Sequence, residues 1–289
     1  MRREWIQAWA LLMPAMLLLL AFTHVPALET LIQSFWSTAR GKRAASFVGA
    51  ANYAKMLTDP VFAKVMWNNV IYAAVTIPAA IGLSLSMALF VHRRLPGLAF
   101  LRVAYFTPTV LPLIAVANIW MFFYTPGFGL IDQIRSMWGL PAQNWVGQSN
   151  TSLWAMIAVA VWKEAGFFMI FYLAALQTIP QSLREAAALE GTSAWTFFRR
   201  VTWPLIMPTT LFISVNAVIN AFRLIDHIIV MTKGGPNDAS KLLLYYIYEM
   251  GFAYWDTAYA ATLTVVMLGI LIVVAVGQFF VADRKVHYK

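Results

Sequence analysis

Six stretches of this chain, roughly 9–36, 67–91, 102–124, 153–177, 205–231 and 257–282, are almost wholly apolar. No other feature limits the fold as strongly. A helix needs about 20 mostly apolar residues to cross the hydrocarbon core of a bilayer. Lipid offers no partner to a free amide or carbonyl, so each stretch must close its own hydrogen bonds as a helix. The composition agrees: 61% of residues are hydrophobic and 11% charged, where a soluble domain carries about 25% charged residues. The expected fold is all-α, a polytopic membrane protein with six transmembrane helices. Pro14, Pro78, Pro108 and Pro112 fall inside these spans and are each expected to kink a helix.

The first span opens like a secretory signal. Arg2 and Arg3 precede an apolar run, and Val25-Pro26-Ala27 resembles a cleavage site. The run continues through Leu31, Ile32, Phe35 and Trp36, long enough to cross, so it is read as an uncleaved first helix. The chain has no cysteine, which removes disulfides and thiolate or Cys-based metal chemistry. Its net charge of +9 fits basic loops beside anionic lipid. It does not fit nucleic acid, because no basic, aromatic-interleaved soluble segment exists.

Loop lysines and arginines set the orientation. One set of loops holds Arg2, Arg3, Arg93, Arg94, Arg102, Arg184, Arg199, Arg200, Arg284, Lys285 and Lys289. The other holds Arg40, Lys42, Arg43, Lys55, Lys64, Arg135, Lys233 and Lys241. The excess in the first set, eleven against eight, favours both termini in the cytoplasm only weakly, and the cluster Arg40-Gly41-Lys42-Arg43 runs against it.

Between the fourth and fifth spans lies a polar segment, EAAALEGTSAWTFFRRVTWP, from Glu185 to Pro204. Ile179-Pro180 should end the fourth span, since the residue before proline avoids the helical region. Ser182 and Glu185 have the spacing of a capping box. Ala186 to Leu189 favour helix, Gly191 allows a sharp bend, and helix resumes over Ala194 to Arg200. By local chemistry alone this could be a capped amphipathic linker on the membrane surface.

The segment also resembles the cytoplasmic coupling loop of permease subunits of bacterial ABC importers. That pattern is E-A-A, three residues, G, nine residues, then I-x-L-P. Here Glu185-Ala186-Ala187, Gly191 and Val201-Thr202-Trp203-Pro204 keep the spacing, with Val201 and Trp203 in place of Ile and Leu. The resemblance implies a two-helix coupling loop over 179–204, with Glu185, Ala186 and Gly191 as the residues that dock on an ATPase subunit and transmit its closure.

A second resemblance is to carbohydrate-type permeases, the sugar and glycerol-3-phosphate transporters in particular. It rests on Asp226, Thr232, Gly234-Gly235-Pro236 and Leu244-Tyr245-Tyr246-Ile247-Tyr248. Val161-Trp162-Lys163 and the run Ala174 to Pro180 add to it. It implies one permease domain over 1–289 with a core at about 66–282.

Ionisable groups inside spans default to functional hypotheses. Lys163 and Glu164 in the fourth span either contact substrate or form structural contacts. Asn216 and Asn220 in the fifth either face sugar hydroxyls or bond a backbone carbonyl. Arg223 and Asp226, three apart, would share a helix face and pair. Alternatively Arg223 holds an anionic group of the substrate in a forked geometry.

These features predict a permease subunit of a bacterial inner-membrane importer for a sugar or polyol derivative. No G-x-x-x-x-G-K-[ST] loop is present, so the chain is not expected to be an enzyme or to bind a cofactor. The resemblance implies ATP and Mg on two partner ATPase subunits, a second homologous permease, an extracytoplasmic substrate-binding protein, and membrane lipid around the spans. The alternative is an ion-coupled secondary transporter using Glu164, Asp226 or His227 as a proton relay.

Overall fold

The computed structural model describes residues 2–92 and 96–283. Arg93, Arg94, Arg284, Lys285 and Lys289, used in the orientation reading, lie outside them. The helices are α1 (Arg2–Leu19), α2 (Val25–Gln33), α3 (Ala51–Thr58), α4 (Pro60–Val91), α5 (Leu98–Val110), α6 (Leu113–Phe123) and α7 (Leu130–Ser136). They continue with α8 (Ser152–Gln177), α9 (Gln181–Leu189), α10 (Ala194–Phe197), α11 (Trp203–Arg223), α12 (Asp226–Met231), α13 (Leu243–Tyr248) and α14 (Thr257–Asp283). Single π-helical turns join α1 to α2, α10 to α11, and follow α13. Among the described residues there is no strand; two isolated bridges, Trp36 to Phe47 and Arg40 to Arg43, close a short hairpin.

Among the described residues, five helical segments are long and apolar enough to cross a membrane: Gln7–Gln33, Pro60–Val91, Ser152–Gln177, Ala194–Met231 and Thr257–Gln278. The helices α5 and α6 reach that length and apolarity only together, bent by 104°, and as one broken span they make the sixth candidate. The all-α, multi-span architecture therefore matches the sequence reading, with three local differences. First, the third crossing is broken rather than kinked. Leu111 is extended and Pro112 starts the next helix, whereas Pro14, Pro78 and Pro108 remain inside α-helices. Second, the fifth span does not begin afresh near 205. It runs on from α10 through the π turn Phe198–Thr202. Third, that same span breaks at Leu224, whose extended backbone separates α11 from α12.

Two groups of residues pack as separate units: the N-terminal region through Phe62 with Tyr246–Gly269, and Ala63–Tyr245 with the remainder of α14. In the second, α4, α8 and α11 share a core of Ala80, Ala88, Phe168, Tyr172, Ile206 and Ile213, all buried. In lipid, where the hydrophobic effect between helices is absent, such side-chain packing holds the helices together.

In the first unit, two carboxylates organise the ends of the helices. Asp59 accepts from the hydroxyls of Tyr246 at 2.5 Å and Tyr259 at 2.6 Å. Asp256 accepts from Thr38 at 2.7 Å, Lys55 at 3.1 Å and Arg40 at 3.2 Å. One arginine of the basic hairpin is thus paired. Burial pushes both carboxyls up. The tyrosine hydroxyls and the Val61 and Phe62 amides outweigh it for Asp59, and Thr38 and Lys55 outweigh it for Asp256, so both are held below the ordinary carboxylate range. A depressed folded-state pKa stabilises above the unfolded value, about 3.9, and that stability is lost as pH falls through the folded value. The melting temperature should therefore be flat from pH 7 to 5 and fall below about pH 4. Thermal melts of Asp59→Asn against wild type check this: the variant should melt lower at pH 7, and the gap should close in acid.

Candidate functional site

The polar segment after the fourth span forms a tight helix–turn–helix. Pro180, at φ −55° and ψ 135°, precedes α9, which starts at Gln181. Ser182 is therefore already inside the first turn and cannot cap it, so the expected capping box is absent. Glu185 instead accepts from the Gln181 side-chain amide at 2.8 Å, one turn back along an exposed face.

Gly191 closes α9 in the left-handed region, at φ +65°. Its N–H donates to the Ala188 carbonyl at 3.1 Å, and the Thr192 N–H donates to Ala187 at 2.9 Å. This pair of bonds satisfies the last carbonyls and turns the chain sharply, a conformation that glycine adopts without steric cost. Ser193 then caps α10, accepting from the Thr196 N–H at 3.2 Å. Beside α9 lies an open cleft of about 1100 Å³, lined in part by His92, Arg102, Gln177, Arg184 and Glu185. Arg184 donates to His92 Nε2 at 2.7 Å, tying α9 to the end of α4. Arg102 donates twice to the Val91 carbonyl, at 3.2 Å and 2.7 Å, where a cation suits the helix C-terminus.

The intramembrane candidates divide into two groups. Lys163, Glu164 and Asn220 line one cavity of about 140 Å³, together with Thr109, Leu113, Phe167, Leu224 and His227. The two span breaks supply Thr109 and Leu113 on one side and Leu224 and His227 on the other. Glu164 is buried and faces the same cavity as Asn220. Lys163 Nζ donates to the carbonyls of Pro108 at 3.0 Å and Leu111 at 2.6 Å. His227 is fully buried, stacked on Tyr72 and bonded to its hydroxyl at 3.1 Å through Nε2. His227 Nδ1 and Thr109 Oγ1 are buried without a partner.

Asn216, Arg223 and Asp226 do not join this group. Asn216 donates to the Phe212 carbonyl of its own helix at 2.8 Å. Arg223, exposed on this chain, is the last residue of α11, and Asp226 is the first of α12. The break between them removes the shared face on which the ion pair depended, and no Arg223–Asp226 pair forms. Of the residues suggested for a proton relay, Glu164 and His227 line the cavity and Asp226 does not.

Sequence reasoning overlooked Asn68 and Asn69. Asn68 Nδ2 donates to the carbonyls of Asp238 at 2.8 Å and Lys241 at 3.0 Å. Asn69 Oδ1 accepts from the Leu243 N–H at 2.7 Å. Two adjacent asparagines inside an otherwise apolar span were the available signal. They hold the loop after α12, in which Ser240 also donates to the Gly235 carbonyl at 2.6 Å.

Residues 80–287 match the family described as binding-protein-dependent transport system inner membrane component. The sn-glycerol-3-phosphate transport system permease protein UgpA of Escherichia coli is 30% identical over 289 residues, covering 100% of this chain and 97% of its own. The sulfoquinovosyl glycerol transport system permease protein SmoG of Agrobacterium fabrum is 30% identical over 261 residues, 90% of this chain and 85% of its own. A chain from a bacterial ABC transporter involved in the import of the acidic polysaccharide alginate superposes with a TM-score of 0.88 at 21% identity, covering 99% of this chain and 98% of that one, and so shares the fold. By the family match and the full-length relative, this chain belongs to the inner membrane components of binding-protein-dependent transport systems.

Proposed function

We propose that this chain is one of two permease subunits of an importer for a sugar or polyol derivative, driven by ATP hydrolysis on separate subunits. The observation that carries the reading is the join between α10 and α11. The helix after the Gly191 turn continues without a loop into the fifth crossing, so a push on Ala194–Phe197 moves the crossing directly. In this reading Glu185, Ala186 and Gly191 shape the surface that docks on one ATPase subunit, Mg and ATP stay on the two ATPase partners, and the bound substrate arrives from an extracytoplasmic binding protein. The membrane is the bacterial inner membrane, with both termini in the cytoplasm.

Sidedness can be tested with engineered thiols, which are unique because the chain has no cysteine. Ala194→Cys should react with a membrane-impermeant maleimide only from the cytoplasm, and Lys42→Cys in the basic hairpin only from outside. The opposite pattern would remove the docking surface from the ATPase side.

An anionic group on the substrate is supported by Arg223, which makes no ion pair with Asp226 and is exposed at the end of α11. A phosphate, as in sn-glycerol-3-phosphate, suits a guanidinium fork. Arg223→Gln should lower uptake of an anionic sugar or polyol derivative by tenfold or more, about 1.4 kcal/mol at the least, and leave melting temperature unchanged. Equal losses for anionic and neutral substrates would assign Arg223 no part in charge selection.

A further inference from the structure

At the end of α5, two backbone carbonyls lack a backbone donor. Pro112 has no N–H, so the Pro108 carbonyl loses the bond that an unbroken helix would supply four residues on. Leu111 is extended, at φ −74° and ψ 137°, which turns its carbonyl out of the helical ladder. In hydrocarbon such groups must be satisfied by a neighbouring helix. Here that neighbour is α8, whose Lys163 Nζ reaches both carbonyls, at 3.0 Å and 2.6 Å. Gly166, three residues on and so on the same face of α8, makes the approach possible. A Cβ there would strike the Tyr105 carbonyl and lie 3.2 Å from Thr109 Oγ1. The carbonyl end of a helix carries partial negative charge, which favours a cation in that place.

We propose that the Lys163 ammonium is a built-in cation seated in the carbonyl-lined break of the third crossing, and that it is the positioning residue that keeps this break, and one wall of the cavity, in the shape substrate passage requires. The role in substrate passage rests on the permease reading; the seat itself does not. Where transporters interrupt their helices, freed carbonyls commonly coordinate a monovalent cation from solution. In this chain the side chain of α8 fills the equivalent position. The seat therefore takes no ion from solution and carries none across. Lys163 and Glu164, adjacent in sequence, thus have separate places: Lys163 closes the break, and Glu164 lines the cavity with Asn220.

The test uses the assembled transporter in lipid, with thermal stability and uptake measured for Lys163→Met, Lys163→Ala, Pro112→Ala and the double variant Lys163→Met with Pro112→Ala. Lys163→Met should melt several degrees lower and lose roughly tenfold or more of its uptake, since two carbonyls lose a charged donor. Ammonium or methylammonium added to Lys163→Ala should raise its melting temperature with concentration. Tetramethylammonium, which has no N–H, should not. Pro112→Ala returns an amide donor to the Pro108 carbonyl, so the double variant should recover stability while uptake stays low, because the break is gone. Recovery of uptake together with stability would overturn the positioning role and leave a structural contact. Unchanged stability in Lys163→Met, with a raised KM and the same kcat, would overturn the seat and make Lys163 a substrate contact. If Lys163→Met cannot be isolated, recovery of a folded protein in the double variant supports the seat, and its absence contradicts it. Should the wild type show no uptake, the permease reading fails, while the melting temperatures still decide the seat.

Discussion

Replacing Gly166 with valine should unseat α5 from α8 and remove most of the folded transporter from the membrane. The reason is local and steric. A Cβ at this position meets the backbone carbonyl of Tyr105, which cannot rotate away as a side chain would. Overpacking a close contact typically costs about 1–3 kcal/mol, occasionally more. Here the displacement also pulls the Pro108 and Leu111 carbonyls away from Lys163, so a loss of about 3 kcal/mol or more is expected. Gly166→Ala should show the same sign with a smaller effect. Gly269, with open space at its Cβ position, is the control: Gly269→Ala should be neutral or slightly stabilising, because glycine inside a helix is the poorer helix former by about 1 kcal/mol. Thermal melts of the three purified variants in one lipid composition make the comparison. Equal melting temperatures for Gly166→Val and wild type would show that α5 does not press on α8 at this point.

Gly191→Pro should abolish transport while leaving the spans inserted. Proline fixes φ near −65°, against the +65° observed, and removes the N–H that bonds Ala188. The turn between α9 and α10 cannot form, so the two short helices lose their angle. Gly191→Ala keeps the amide and only strains the backbone, by about 1–2 kcal/mol, and should retain partial activity. Glu185→Gln keeps an acceptor for Gln181 and removes a charge from an exposed helix face. It should leave α9 folded and reduce transport without reducing the amount of protein in the membrane. Quantifying inserted protein alongside uptake separates these cases. Full uptake by an inserted Gly191→Pro protein would mean that the segment is a surface linker, as its local chemistry alone also permits.

The fold was legible in the sequence because apolar length is a coarse property that survives local detail. The five long apolar helices and the bent α5–α6 pair overlap the six stretches that hydropathy marks, although the fifth starts at Ala194 rather than near 205. Gly191 was legible too, since a glycine after a run of helix formers has one common use. The local breaks were not. Leu111-Pro112 and Leu224-Ile225 sit in apolar surroundings, and neither period nor hydropathy says whether a proline kinks a helix or ends it. The consequences follow from those breaks. Arg223 and Asp226 are i and i+3 only on a continuous helix, so the break at Leu224 dissolves the expected pair. The break at Pro112 creates two carbonyl acceptors, and they, rather than an acidic partner, take Lys163. Ser182 failed as a cap for a similar reason: Pro180 already sets the backbone that starts α9, so the helix begins one residue before the serine.

The most direct measurement is uptake into vesicles that contain the purified chain, its partner permease, the ATPase subunits and the binding protein, energised in two separate ways. With Mg-ATP supplied on the ATPase side and no ion gradient, substrate should accumulate, ATP hydrolysis should rise when the loaded binding protein is added, and Gly191→Pro should uncouple the two. With a proton or sodium gradient and no ATP, nothing should accumulate. Accumulation driven by the gradient alone, undiminished by Gly191→Pro, would contradict the account.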